Sequence, residues 1–171
     1  MLVASGDFNP QPGQGSLIQH RDLLINELGN LHQPSNHRSI YLLMLRNSMP
    51  PELTPFNLPD GASVAGKRDV TTLPTQSLYL LNNTFIVDQS KRFADLIMSA
   101  AKDDRNRIQA AYRHAFARDP SGTEMERAHD FIRDADFQLS SSQQDGAPHI
   151  RDVWAAFCQA LLASNELRYV D

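Results

Sequence analysis

The chain has 171 residues, 41% hydrophobic and 21% charged, a mix that excludes intrinsic disorder and allows one domain with a sizeable core and an irregular arm. A formal net charge of −4 gives no overall attraction to phosphate backbones or anionic lipid, so nucleic acid is not an expected partner. The single cysteine, Cys158, excludes an internal disulfide or a multi-cysteine metal site, and no apolar run approaches the roughly 18 residues that span a bilayer.

The opening MLVASGDFNP lacks the basic segment of a signal peptide. It reads as the tail of a helix, Leu2 to Ser5, ended by Gly6, as in a chain that begins inside a larger domain. DFNPQPGQG is an irregular connector because its prolines and glycines punctuate it. The spacing of Leu17, Ile18, Leu24, Ile25 and Leu28 predicts a short helix, capped by Ser16 and ended by Gly29 and Asn30. Ile40 to Leu45 is too short an apolar run for periodicity to separate a buried strand from an extended segment. Pro50, Pro51, Pro55 and Pro59 then predict an extended surface course over residues 48–66, pinned by Leu53, Phe56 and Leu58.

The stretch from Lys67 to Ala101 holds the densest signals. Thr71 and Thr72 before Leu73 and Pro74 mark a helix start, with Leu73, Leu78, Leu80 and Leu81 expected to be buried. Asn82 and Asn83 break that helix, since asparagine competes for backbone hydrogen bonds and favours caps. Ile86, Gln89, Phe93, Leu96, Ile97 and Ala100 carry the next one to about Ala101. Ile108, Ala111, Tyr112, Ala115 and Phe116 keep helical spacing after Asp104, up to Asp119 and Pro120. Ser121 and Glu124 form an S-x-x-E capping box for a helix burying Met125, Ala128, Ile132, Ala135 and Leu139. SSSQQDGAP is a polar loop, and Val153, Trp154, Phe157, Cys158, Leu161 and Leu162 make the most apolar helix.

The expected fold is mainly α: a bundle of four to five helices after a proline-rich, largely irregular arm with at most one or two short strands. Residues 1–171 are taken as a single domain, with residues 1–66 as the arm and residues 67–171 as the helical core.

There is no glycine-rich phosphate loop, H-E-x-x-H, G-x-S-x-G or C-x-x-C-H, so no catalytic residue, metal site or cofactor is assigned. His20, His32 and His37, with Asp22 and Glu27 near them, match no tight zinc or iron spacing, and surface or capping roles are favoured. His114, His129 and His149 are single histidines at solvent-facing or loop positions. The polar set Arg38, Arg46, Asn47, Lys67, Arg68 and Asp69 flanks the arm. It forms the candidate binding residues, because arginine forks match carboxylate, sulfate or phosphate; the competing reading is that they tie the arm down through its carbonyls. Residues 102–118 carry five basic and two acidic side chains, and residues 119–152 three basic and eight acidic. Adjacent helices of opposite sign attract each other, expose solvated faces or offer a partner surface.

Four ordered motifs, RSIYLLMLRN, GKRDVTTLPTQSLYLLNNTFIVDQSKRFADLI, IQAAYRHAFARDPSGTEMERAHDFI and WAAFCQALLASNELRYVD, carry a resemblance that extends over nearly the whole chain. Together they resemble planctomycete-specific domain one, a C-terminal domain of unknown function in large bacterial proteins that often carry a cytochrome c-like domain. The resemblance implies the end of a longer polypeptide, in a periplasmic or cell-envelope setting. It supplies no catalytic residues. The expected role is a non-catalytic helical module docking to upstream domains of its own polypeptide or to a protein partner. The alternative is a module binding or hydrolysing anionic polysaccharide, with Asp69 as its acid/base.

Overall fold

In the computed structural model the described residues are 1–12, 35–42, 44, 49–58, 74–142 and 149–168. The predicted helix over residues 16–30 lies outside them, as do Arg46, Asn47, Lys67, Arg68 and Asp69. The chain divides into two units, one of residues 8–79 and one that joins Met1–Asp7 to Leu80–Asp171. Six α-helices follow in order: α1 Pro74–Asn82, α2 Thr84–Ala100, α3 Asp104–Phe116, α4 Gly122–Ser142, α5 Ile150–Ala163 and the single turn α6 Asn165–Arg168. No strand is present among the described residues, so the fold is mainly α.

Local chemistry sets the helix ends. Asn83 separates α1 from α2 and caps α2, its side-chain oxygen accepting from the Phe85 amide at 2.9 Å. Asp103 caps α3 through the Asn106 amide at 3.0 Å. The capping box forms in both directions: the Ser121 amide donates to Glu124 at 2.7 Å, and the Glu124 amide donates to Ser121 Oγ at 3.3 Å. Helix α3 ends earlier than Pro120 would require. Its stop is Ala117 at φ 57°, whose amide reaches the Arg113 carbonyl at 3.0 Å, closing the last turn in left-handed geometry. Helix α4 continues through Ser140–Ser142, residues assigned from sequence to the polar loop.

The core of the helical unit gathers one face from each long helix. Phe93, Ala94 and Ile97 of α2, Ile108, Ala111 and Tyr112 of α3, Ala128 and Ile132 of α4, and seven residues of α5 are buried together with Ala4. Helices α2 and α5 make the most extensive contact, which is why α5 is apolar over so wide a face. Gln159 of α5 donates to the carbonyls of Leu80 and Leu81 at 3.1 and 2.8 Å, satisfying acceptors that the end of α1 leaves open. Leu80 is buried as expected, but Leu78 and Leu81 are each 58% exposed. A nine-residue helix turns only part of its surface inward, and the predicted four-leucine face was too wide.

In the unit of residues 8–79 the arm is turned, not extended, where it is described. The Leu53 amide reaches Pro50 O at 3.1 Å and the Phe56 amide reaches Leu53 O at 3.0 Å, two successive tight turns ending in a 3-10 turn over Thr54–Phe56. Pro51 and Pro55 fit because a proline at the start of a turn needs no amide hydrogen. The Phe56 and Tyr79 rings meet edge to face at 5.7 Å. Ser39–Tyr41 forms a second 3-10 turn with Ile40 83% exposed, so a buried strand does not begin there.

Candidate functional site

Of the six candidate binding residues, Arg38 alone is described. It is exposed, with its guanidinium 6.0 Å from the Phe8 ring centroid. Beside it the Asn9 side-chain amide lies 3.0 Å from His37 Nε2, and the Asn9 backbone N–H donates to Asn36 O with N and O 2.9 Å apart. His37 is thereby tied to Asn9. In the same unit, burial and, less strongly, Glu52 push the Tyr79 phenol up to about 12, so it stays protonated at neutral pH.

The helical unit carries its densest polar chemistry at the α3–α4 junction. Arg118 donates to both oxygens of Glu124 at 2.7 and 2.9 Å and to both oxygens of Glu166 at 2.7 and 2.8 Å. Its guanidinium also lies 5.6 Å from the Tyr112 ring and 5.7 Å from the Phe116 ring. One planar fork therefore ties the end of α3 to the capping box of α4 and to α6. Arg118 and the Ser121 amide hold the Glu124 carboxyl down at about 2, and Arg118 likewise lowers Glu166. The sequence signal was present but unread: Arg118 stands three residues before the capping serine and six before its glutamate.

The pH consequence follows from the sign of that shift. A carboxylate held below its unfolded value contributes stability above pH 4.5 and loses it as the pH falls towards 2. Acid melts are expected to show that loss in the wild-type chain. In Glu124→Gln the decline between pH 4.5 and 2 should flatten, and a decline of equal depth in that variant would refute the assignment.

The other ion pairs also answer the question raised by the charge asymmetry. Arg113 pairs with Asp119, Arg107 with Asp104, and Arg151 of α5 forks onto Asp95 of α2 at 2.7 Å through both nitrogens. Three of the five basic residues in 102–118 are thus engaged within the helical unit, so mutual attraction accounts for much of the pattern.

Two arrangements resemble catalytic chemistry and differ from it in geometry. Ser140, His149 and Asp136 come together, but Ser140 Oγ at 3.0 Å and Asp136 Oδ1 at 2.8 Å both contact His149 Nε2. A nucleophile–base–acid relay needs the serine and the carboxylate on opposite ring nitrogens. Cys158 is fully buried, and burial raises its thiol pKa, so it behaves as a small core residue. No group of three histidine, cysteine or acidic side chains that could hold a metal occurs among the described residues, and none of their helices is long and apolar enough to cross a membrane.

One protein-family model, PSD1, described as a protein of unknown function (DUF1553), matches residues 1–132. No curated protein and no solved structure matches the chain.

Proposed function

The chain belongs to this family of unknown function, and from that premise we propose that it is a non-catalytic helical interaction module within an exported, multidomain planctomycete polypeptide. The observation that supports this reading is a contrast in what the surface offers. The forks of Arg118 and Arg151 are engaged in holding helices together, whereas Phe137 and Ile40 stand 73% and 83% exposed. Exposed large apolar side chains suit burial against a protein surface. The candidate polar set of Arg38, Arg46, Asn47, Lys67, Arg68 and Asp69 belongs with Ile40 to the unit of residues 8–79 and would supply that unit's polar contacts to the partner.

Calorimetric titration against the remainder of the polypeptide encoded in the same reading frame tests the proposal. Binding tighter than about 100 μM is expected, and Phe137→Ser together with Ile40→Ser should weaken it at least about tenfold with little change in melting temperature. No association at that concentration overturns the module reading. The alternative, an anionic-polysaccharide module, draws on the exposed Arg38 guanidinium beside Phe8. It requires a sulfated oligosaccharide to bind the chain and Arg38→Ala to weaken that binding; no binding of a sulfated oligosaccharide overturns it.

A further inference from the structure

Met1–Asp7 belongs to the helical unit although 72 residues, Phe8–Tyr79, separate it from Leu80. It is a single hydrogen-bonded turn ending in a complete Schellman closure: the Asp7 amide reaches Leu2 O at 3.0 Å, the Gly6 amide reaches Val3 O at 3.2 Å, and Gly6 has φ +73°. Residues 4–7 meet the helical unit in different ways. Ala4 enters the core, and the Ser5 hydroxyl lies within hydrogen-bond reach of Gln89 Oε1 and of Leu2 O. Gln89 Nε2 donates to Asp7 Oδ2 at 3.0 Å, and Arg92 donates to Asp7 Oδ1 at 3.3 Å. At Gly6 the chain comes so close that an added Cβ would stand 3.4 Å from Leu96. Gln89 and Ser5 are buried, and Gln89 satisfies its amide through Ser5 and Asp7 while the Ser5 hydroxyl is served by Gln89 and Leu2 O.

We propose that Met1–Asp7 is a releasable clasp that opens as a unit while the helical unit stays folded. The clasp is held by the half-buried Met1, by the small buried side chains of Ala4 and Ser5, by one buried amide and by one partly exposed ion pair, whereas α5 is held by the larger and more deeply buried set of Trp154, Phe157, Leu161 and Leu162. Contacts so unequal place the two segments at different ends of the local-stability scale. When open, the clasp uncovers the Gln89, Arg92 and Leu96 face of α2. That face is shaped for a turn carrying a small residue, serine, glycine and aspartate in succession.

Native-state hydrogen exchange on the full chain at increasing urea is the test. The amides of Ser5, Gly6 and Asp7 should exchange through an opening insensitive to low urea, while those of Phe157 and Cys158 follow global unfolding. Gly6→Ala, strained at that φ and tight against Leu96, should speed exchange at residues 5 and 7 about tenfold, leaving α5 within about twofold. Arg92→Ala removes only a surface ion pair, so it retains the fold and should speed the same amides about threefold. Exchange of residues 5–7 in step with Phe157 and Cys158 overturns the clasp. So does an equal acceleration of both sets by either variant.

Discussion

A chain cut after Ile132, where the family match ends, is expected not to fold. Ile132 is a buried residue in the middle of α4, and everything from Ile150 to Ala163 lies beyond it. Helix α5 supplies Val153, Trp154, Phe157, Leu161 and Leu162 to the core, each fully or almost fully buried. Burying side chains of that size stabilises by about 1.5–3 kcal/mol apiece. The loss is then on the order of 10 kcal/mol, comparable with the roughly 5–15 kcal/mol that holds a whole domain together. It would also strip the partner face from α2, leaving Phe93 and Ile97 exposed to water. Far-UV circular dichroism and a two-dimensional amide spectrum of residues 1–132 should show weak helicity and collapsed dispersion, against a dispersed spectrum for the full chain. A cooperative melt in the truncated chain would show that α5 is dispensable. The folding unit of this family member therefore extends past the span of the family match.

Replacing Trp154 by alanine is expected to cost about 3–5 kcal/mol, the largest effect of any single substitution here. Its side chain is fully buried, the Phe157 ring lies edge-on at 5.9 Å, and the Arg107 guanidinium sits 5.5 Å from the ring. Arg107 is itself fixed by its Nε donating to Ala101 O at 3.1 Å, so the cavity left by alanine has rigid walls that cannot collapse. The indole Nε1–H carries a second consequence, because it is buried with no hydrogen-bond partner among the described residues. An unsatisfied buried donor costs about 1–3 kcal/mol of desolvation. Trp154→Phe removes that cost while losing part of the ring contact, and should destabilise by only about 1–2 kcal/mol. Both variants delete the indole N–H, so the difference between them in a urea titration reports the ring contact alone. A loss in Trp154→Phe as large as about 3 kcal/mol would mean that the indole nitrogen is satisfied in solution, for instance by a buried water. Phe93→Ala, at the centre of the α2–α5 contact, should also fall in the range of about 3–5 kcal/mol.

What could be read directly from the residues was local. The α1–α2 break at Asn83, the capping box of Ser121 and Glu124, and the buried face of α5 save for Ala155 depend on side chains within four positions of one another or on a repeating 3.6-residue pattern. The chain reversal at Gly6 was legible for the same reason, since a Schellman closure spans only six residues, although Leu2 to Ser5 form a turn and not the helix tail expected. Tertiary structure decided what joins distant positions. It selected which leucines of α1 face inward, and it turned the proline arm at Pro50–Phe56, where spacing alone suggested an extended course. It also gave Arg118 two carboxylates, Glu166 among them 48 residues away, and docked Asp7 onto Gln89 and Arg92 more than 80 residues on. Charge counts show that opposite signs are present, but a Coulomb pair forms only where packing brings two groups within about 4 Å. Among the candidate site residues, Arg38 shows the same division. Its type marked it as an anion or carbonyl partner, and only the fold placed it at the surface beside Phe8.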